Sequence, residues 1–416
     1  MSKADWDRLQ YYSRKVKSFI ALPSDFHDPE IHPSTFVQIA QLQSSVLFPS
    51  LRHLHCDLGV CSLSLFLFLS PHLNSLELFN IGDMENTIVG PFLATLSSQT
   101  LSRIFLHDGR LSADILKQSI VRFKQLRSVE LLDAVFMVDF DLWEVLGTLP
   151  SLENLTLKAN DPKSHPAQAP ESSNSQSGGR KYFEALERVS VWGSFFLVQH
   201  LLGIIDSPCL KSIDVYPIID QRRNNHGPED LLTPSITIIA SKWSQSLKHL
   251  VIDSSSAHRP AISKYLMLLT DLHEIQTFQL TGWGMEIMDD DVRRLAMSWP
   301  KLRTLRLPLK RTLISLTTLG IIAENCPILR YLDIRLDTST IPPFDTSIKS
   351  LRHNLKVLTV GRVYPSETML ECQIQVARHL DLIFPYLKSI KVRPNDVTWS
   401  GIRDLVKLCQ DARQVK

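Results

Sequence analysis

The chain has 416 residues, 44% of them hydrophobic and 21% charged, with a net charge of +2. That balance excludes a disordered polymer and offers no bulk electrostatic case for nucleic acid or an anionic membrane. Six cysteines, at 56, 61, 209, 326, 372 and 409, form no CxxC pair and are too sparse for a disulfide framework, which points to a reducing compartment.

The opening stretch, MSKADWDRLQYYSRK, has neither the apolar core nor the small-residue cleavage site of a secretory signal. The most apolar run, Leu63 to Leu69, is far shorter than the roughly 20 residues that cross a bilayer. A cytoplasmic or nuclear protein is therefore expected, with no membrane and no nucleic-acid partner.

From Leu51 onward one six-residue phrase recurs: apolar, two mostly polar, apolar, one variable, apolar. It reads LRHLHC at Leu51, LNSLEL at Leu73, LSRIFL at Leu101, LRSVEL at Leu126, LENLTL at Leu152, LERVSV at Leu186 and LKSIDV at Leu210. It continues as LKHLVI at Leu247, IQTFQL at Ile275, LRTLRL at Leu302, LRYLDI at Leu329, LKVLTV at Leu355 and LKSIKV at Leu387. A degenerate copy, VKSFIA, starts at Val16. The thirteen clear copies follow one another at 22, 28, 25, 26, 34, 24, 37, 28, 27, 27, 26 and 32 residues. Most of these intervals fall in or near the range of about 20–29 residues of leucine-rich repeats.

The last two apolar positions of the phrase are two apart, so they face the same side of a strand. The first apolar residue packs at the turn leading into that strand. Between phrases lies helical spacing. In MDDDVRRLAMSWPKLRTLRL, Val292, Leu295 and Ala296 share a face, and Asp289 to Asp291 sit at a helix start, where negative charge is favourable. Pro300 then stops the helix two residues before the phrase, as do Pro49, Pro71, Pro150, Pro208, Pro327 and Pro385 in their repeats.

Each repeat thus reads as helix, turn and short strand, a unit that buries its apolar side only by stacking on neighbours. The expected fold is an α/β leucine-rich-repeat solenoid, a horseshoe or arc of about 13–14 repeats. Parallel strands line its concave face and helices its convex face. A doubly wound α/β domain is the competing architecture, but such sheets need no fixed phrase before every strand. Residues 1–47 are expected to form an N-terminal helical cap with the degenerate first repeat, and 48–416 the solenoid. The polar stretch 161–180 predicts a disordered loop, 217–234 a second inserted loop, and 341–347 a shorter third.

The units TTLGIIAENCPILRYLDI and DDDVRRLAMSWPKLRTLRL resemble the repeats of F-box leucine-rich-repeat proteins, which are similar to the ribonuclease-inhibitor class. The opening WDRLQYYSRKVKSF, then HPSTF, LFPSLRHL and FLSPHLNSLEL, resembles the segment after the F-box in a large group of fungal F-box proteins. In that family the F-box docks the Skp-type adaptor of a cullin ubiquitin ligase and the repeats recruit a substrate. The resemblance therefore implies a non-catalytic protein-binding module of the substrate-recruiting kind. The alternative is a scaffold or regulatory repeat protein with no ubiquitin connection. The F-box opens with a Leu-Pro-x-Glu type phrase. None precedes Trp6, and Leu22-Pro23 continues as Ser24-Asp25. The box itself is expected to be missing, with the adaptor a partner only where a longer isoform supplies it.

Residues flanking the inward positions of each strand should line the binding face. They are His53, His55 and Asp57; Ser75, Glu77 and Phe79; Arg103, Phe105 and His107; Arg188, Ser190 and Trp192; and Ser212, Asp214 and Tyr216. The C-terminal repeats add Thr304 and Arg306; Tyr331, Asp333 and Arg335; and Ser389, Lys391 and Arg393. Large aromatics and arginines dominate binding energy when a partner desolvates them. The strongest candidates are Trp192 and Tyr216, on adjacent repeats, followed by Phe105 and Phe79. Arg188, Asp214 and Tyr331 complete the aromatic and charged set. Arg306, Arg335, Lys391 and Arg393 give a basic bias that suits an acidic or phosphorylated motif, although Asp333 dilutes it. His53, His55, Cys56 and Cys61 crowd together, but Cys56 takes an inward slot while both histidines point away, so no metal site is expected. No cofactor motif and no catalytic constellation is present, and the chain is expected to act as a monomer on an unidentified protein partner.

Overall fold

The computed structural model describes residues 3–21, 39, 46–97, 99–107, 112–132, 140–158, 181–218, 229–253, 263–281, 287–307, 313–338, 340–342, 353–361, 370–392 and 397–414. They fall into two compact units, Met1–Leu210 and Lys211–Lys416. The loop expected at 161–180 lies outside the described residues, as do 219–228 and most of 341–347. Among the described residues no helix is long and apolar enough to cross a membrane.

The first unit begins with helix α1 (Lys3–Ser13) and strand β1 (Ser18–Ala21), which comes from the degenerate phrase. Strands β2 (His53–Asp57), β3 (Ser75–Phe79), β4 (Arg103–His107), β5 (Ser128–Leu132), β6 (Asn154–Lys158) and β7 (Arg188–Gly193) follow. The seven are parallel, and each pairs with its predecessor in sequence. The short helix α2 (Leu58–Cys61) and a 3-10 segment follow β2. Helices α3 (Asp83–Thr95), α4 (Ala113–Ile120), α5 (Phe140–Gly147) and α6 (Phe195–Ile204) follow β3, β4, β5 and β7.

The second unit repeats the scheme. Its main sheet is parallel, in the order β8 (Ser212–Pro217), β9 (His249–Asp253), β10 (Thr277–Thr281), β11 (Thr304–Arg306), β13 (Tyr331–Ile334), β15 (Val357–Val360) and β16 (Ser389–Val392). A two-strand ladder, β12 (Ile314–Ser315) with β14 (Leu336–Asp337), stands apart from it. The helices are α7 (Glu229–Trp243), α8 (Ser263–Leu269), α9 (Asp289–Ser298), α10 (Leu316–Asn325), α11 (Leu370–Ile383) and α12 (Val397–Gln414). Helix α7 begins inside the loop expected at 217–234, so 229–234 are helical. Pro234 is the sixth residue of this helix, which therefore forgoes the bond its N–H would make to Asp230 C=O.

This is an α/β leucine-rich-repeat fold, and the phrase explains it position by position. Its first leucine is buried in every clear copy from Leu51 to Leu387, with Ile275 taking the place in the ninth. Apart from β1 and Val392 of β16, the second and fourth residues of the main-sheet strands, counted from the strand start, are buried as well, giving the alternation seen in β5, where Val129 and Leu131 are inside and Ser128, Glu130 and Leu132 are half-exposed. The helices cover that apolar side, as Val292, Leu295 and Ala296 of α9 do. Among the described residues, no helix covers the other side of each sheet.

The prolines lie in the turns before the strands, at the second position of a four-residue turn. Leu51 N–H bonds Phe48 C=O at 3.1 Å, Leu302 N–H bonds Trp299 C=O at 3.0 Å, and Leu329 N–H bonds Cys326 C=O at 3.0 Å. Proline favours that position because its ring presets the backbone angle the turn needs. The residue that opens each of these turns is buried: Phe48, Phe123, Leu149, Phe183, Leu272, Trp299, Cys326 or Phe384. Where it is a serine, the side chain caps instead. Ser70 Oγ donates to Pro49 C=O at 3.0 Å, and Ser207 Oγ to Leu186 C=O at 2.6 Å. Burial holds the Cys326 thiol up at about 12, so it packs as an apolar group.

Helix starts are fixed by short polar side chains. Ser194 and Ser315 accept from Leu197 N–H at 3.3 Å and Thr318 N–H at 3.2 Å. At the acidic start of α9, Asp291 accepts from Met288 N–H at 3.0 Å, while Asp289 reaches the next repeat and accepts from Ser315 N–H at 3.1 Å. Buried His353 joins repeats in the same way: Nε2 donates to Cys326 C=O at 2.8 Å and Nδ1 accepts from Leu355 N–H at 3.1 Å.

Burial on one strand gives a direct test. Leu250 of β9 is fully buried, whereas its neighbour Val251 is half-exposed on the open face. Leu250→Ala should cost about 2–5 kcal/mol in denaturant unfolding. Val251→Ala should cost less than about 1 kcal/mol, because little of its side chain leaves water on folding.

Candidate protein-binding face

The in-register stack turns the outward residues of successive strands into rows. In the first unit the middle row runs His55, Glu77, Phe105, Glu130, Thr156 and Ser190, each opposite the next. Phe79 and His107 stand beside it, at the fifth positions of β3 and β4.

The structure gathers four of these side chains into one cluster. Ring centroids lie 4.6 Å apart for His55 and Phe79, 5.1 Å for Phe79 and Phe105, 5.7 Å for Phe79 and His107, and 6.1 Å for Phe105 and His107. All four are half-exposed. The two phenylalanines belong to the predicted site. The histidines were placed on the same face by the repeat phrase but not counted among the strongest candidates. His55 Nδ1 bonds Glu77 Oε2 at 2.6 Å, so the cluster has a fixed polar edge.

Glu130 sits on the other side of Phe105. Burial pushes its carboxyl up, Arg103 opposes that shift through space, and Glu77 adds to it. Among the described residues Glu130 has no hydrogen bond or ion pair, so it is a half-buried carboxylate facing the open side.

Two residues expected on this face are not there. Asp57 is buried, because its carboxylate accepts from Gly59 N–H at 2.9 Å and from the Asn80 amide, closing the turn after β2. Asn80 takes a positive φ of 53°, which asparagine tolerates better than most residues. Ser75 is buried at the start of β3. Cys56 is buried on the inward side, and among the described residues no group of three or more His, Cys, Asp or Glu side chains is placed to hold a metal.

At the far end of the first unit, Trp192 on β7 is half-buried opposite Lys158, and Arg188 opens the same strand, exposed. Tyr216 belongs to β8, the first strand of the second unit, where it is half-buried two residues beyond Asp214. Burial raises the Asp214 carboxyl. The Tyr216 hydroxyl is raised by burial first, then by Asp214 and Asp253.

In the second unit the middle row runs Asp214, Val251, Gln279, Arg306, Asp333, Thr359 and Lys391. The predicted basic bias is less available than the residue types suggest. The Arg306 guanidinium lies 4.8 Å from the Tyr331 ring centroid and donates to Gln279 Oε1 at 3.2 Å and to Tyr331 Oη at 3.2 Å. Tyr331 Oη in turn lies 3.1 Å from Thr359 Oγ1. The stem of Arg335 lies against Gly361, where a Cβ would come within 2.4 Å of Arg335 Cγ, so no larger residue fits without displacing it. Lys391 is exposed, and Arg393 lies outside the described residues.

The sign of the Glu130 shift makes a stability prediction. Its folded pKa is raised above the ordinary glutamate value, so the folded state disfavours the charged carboxylate. Stability is fully present below about pH 4 and is lost as pH rises through the folded value. Glu130→Gln should therefore raise the melting temperature at pH 7. The gain should vanish at pH 4, as read by thermal scans at both values.

No family model and no curated protein sequence matches the chain. Solved structures do. The chain is similar to a leucine-rich-repeat-containing protein, LegL7, from Legionella pneumophila, with 11% identity, 80% of this chain and 91% of that one covered, and a TM-score of 0.36. It is similar to an internalin from Listeria monocytogenes, with 11% identity, 94% and 86% covered, and a TM-score of 0.38. It is also similar to a protein from Bacteroides fragilis, with 12% identity, 63% of this chain covered, and a TM-score of 0.34; the match spans 65% of that protein's length.

Proposed function

We propose that the chain is a non-catalytic protein-binding module whose open sheet face receives a partner protein. The observation that carries this reading is the cluster of His55, Phe79, Phe105 and His107 on a sheet face that the helices leave uncovered. Four half-exposed rings in contact make a continuous surface that gains from being desolvated, and aromatic residues dominate such interfaces. Trp192, Tyr216, Arg188, Asp214 and the row from Arg306 to Lys391 extend the candidate surface along the strands of each unit.

The finer reading follows the resemblance: a substrate-recruiting repeat domain of an F-box type subunit in a cullin ubiquitin ligase, acting in cytosol or nucleus. The departure at Leu22-Pro23-Ser24-Asp25 favours the second reading, a scaffold or regulatory repeat protein without the adaptor. Co-purification with a Skp-type adaptor separates the two. Recovery of the adaptor supports the ligase reading, and its absence from a complex that still holds the partner supports the scaffold.

The module itself is tested by proximity labelling with the full chain. The variants Phe79→Ala/Phe105→Ala and Trp192→Ala/Tyr216→Ala should each reduce labelling of the same partner by roughly tenfold or more, the loss expected at interface hot spots. Their melting temperatures should stay close to wild type. Labelling unchanged in both double variants overturns the reading.

A further inference from the structure

The middle row of the first unit places Phe105 between two carboxylates, Glu77 on β3 and Glu130 on β5. Neighbouring strands stand about 4.8 Å apart, so both acids lie within reach of a group resting on the Phe105 ring. Glu77 is held by His55 at 2.6 Å. Glu130 has no hydrogen bond or ion pair among the described residues. Arg103, two residues before Phe105 on the same strand, is exposed and makes no ion pair with it. Thr156 lies directly opposite Glu130 on β6, with Ser128 and Leu132 beside it on β5; Lys158, the nearest cation on β6, stands diagonally across at the strand's end, opposite Leu132, and no ion pair joins it to Glu130.

We propose that this box takes an arginine side chain from an extended segment of the partner protein, stacked on Phe105 and Phe79 and paired with Glu130. The proposal rests on the protein-binding reading above and specifies its chemistry. An anion held half out of water without a partner is unfavourable, and a cation supplied on binding offsets that cost. A planar guanidinium meets both demands at once, because it stacks on an aromatic face while its fork of N–H groups pairs with a carboxylate. Lysine offers a point charge and no such plane. The second unit shows the chemistry built internally: Arg306 lies over the Tyr331 ring and donates to Gln279 from the neighbouring strand. In the first unit the ring and the acceptor are present on the open face, and the arginine is what the partner brings.

The test is a random-heptapeptide display selection against the immobilised full chain, run in parallel on wild type, Glu130→Gln, Phe105→Leu and Arg293→Gln, the last on the exposed side of α9. Wild type and Arg293→Gln should enrich arginine-bearing peptides over the naive library. Glu130→Gln and Phe105→Leu should lose that enrichment while keeping wild-type or higher melting temperature in the first case. The best peptide, measured by fluorescence anisotropy, should bind Glu130→Gln roughly tenfold more weakly, the scale expected for a partly desolvated charge pair, and more weakly still in high salt. Enrichment of peptides without arginine, equal enrichment of lysine, or arginine enrichment unchanged in Glu130→Gln overturns the arginine box and leaves the protein-binding reading standing. Failure of any peptide to exceed a bare surface overturns the box as well, and the labelling experiment then decides the module on its own.

Discussion

One carbonyl per repeat sets the register of both stacks. The residue just before a strand offers its C=O to two successive N–H groups of the next repeat. Arg52 accepts from Asn74 at 2.8 Å and Ser75 at 3.0 Å, and Arg303 accepts from Arg330 at 2.8 Å and Tyr331 at 3.1 Å. The same rung recurs at Asn74, Ser102, Arg127 and Glu153, and at Lys211, Lys248, Gln276, Arg330 and Lys356. It needs no particular side chain, so the residue there varies freely while the geometry stays fixed. A slip of one residue would turn the whole buried set outward, and the rung forbids it. Because strands begin level, buried positions align into a core and open positions align into rows. The candidate site is a product of that alignment: no single repeat contains it.

The rung works only if the chain turns sharply before each strand, and the turn is held from inside. A large apolar residue at its first position, such as Trp299 or Phe384, fills the space between strand and helix, and proline at the second presets the backbone. Trp299 adds a hydrogen bond from Nε1 to Leu269 C=O at 3.2 Å, tying one repeat's core to the turn of the last. All of this packing is spent on one side of the sheet. The open side is left to satisfy its own polar groups, which it does unevenly.

The phrase made the strands, the buried leucines and the helix at the acidic run readable from sequence, because each depends on spacing and local chemistry alone. The open face was readable as a set of positions but not as an arrangement. Asp57 occupies an outward slot by count, yet the chain bends immediately after it and its carboxylate is recruited to cap that bend through Gly59 and Asn80. The Phe79 and His107 contact joins the ends of two strands, and strand twist decides whether such ends meet. Arg306 looked like a free cation because nothing in its own repeat engages it; its acceptors, Gln279 and Tyr331, come from the repeats on either side. The helix from Glu229 starts within the stretch expected to be an inserted loop, with Pro234 at its sixth position. The Phe79–His107 contact and the engagement of Arg306 share one cause: partners about 25 residues away that the phrase aligns but does not name.

The two units spend the same geometric position differently. In the second, Gln279, Arg306 and Thr359 of the middle row are engaged by one another or by Tyr331 beside them. Side chains engaged in this way contribute to folding and have little left to offer a ligand. In the first, the corresponding row ends its polar chain at Glu77 and leaves Glu130 beyond the aromatic ring with no hydrogen bond or ion pair among the described residues, burial raising its carboxyl against the opposing pull of Arg103. A fold selected for stability alone would place a threonine or glutamine there, as the neighbouring strand does at Thr156. Local rules are broken most often where function demands it. The stability forgone at Glu130 is free energy that a cationic partner recovers on binding, so the carboxylate that costs the fold is also one suited to recognition.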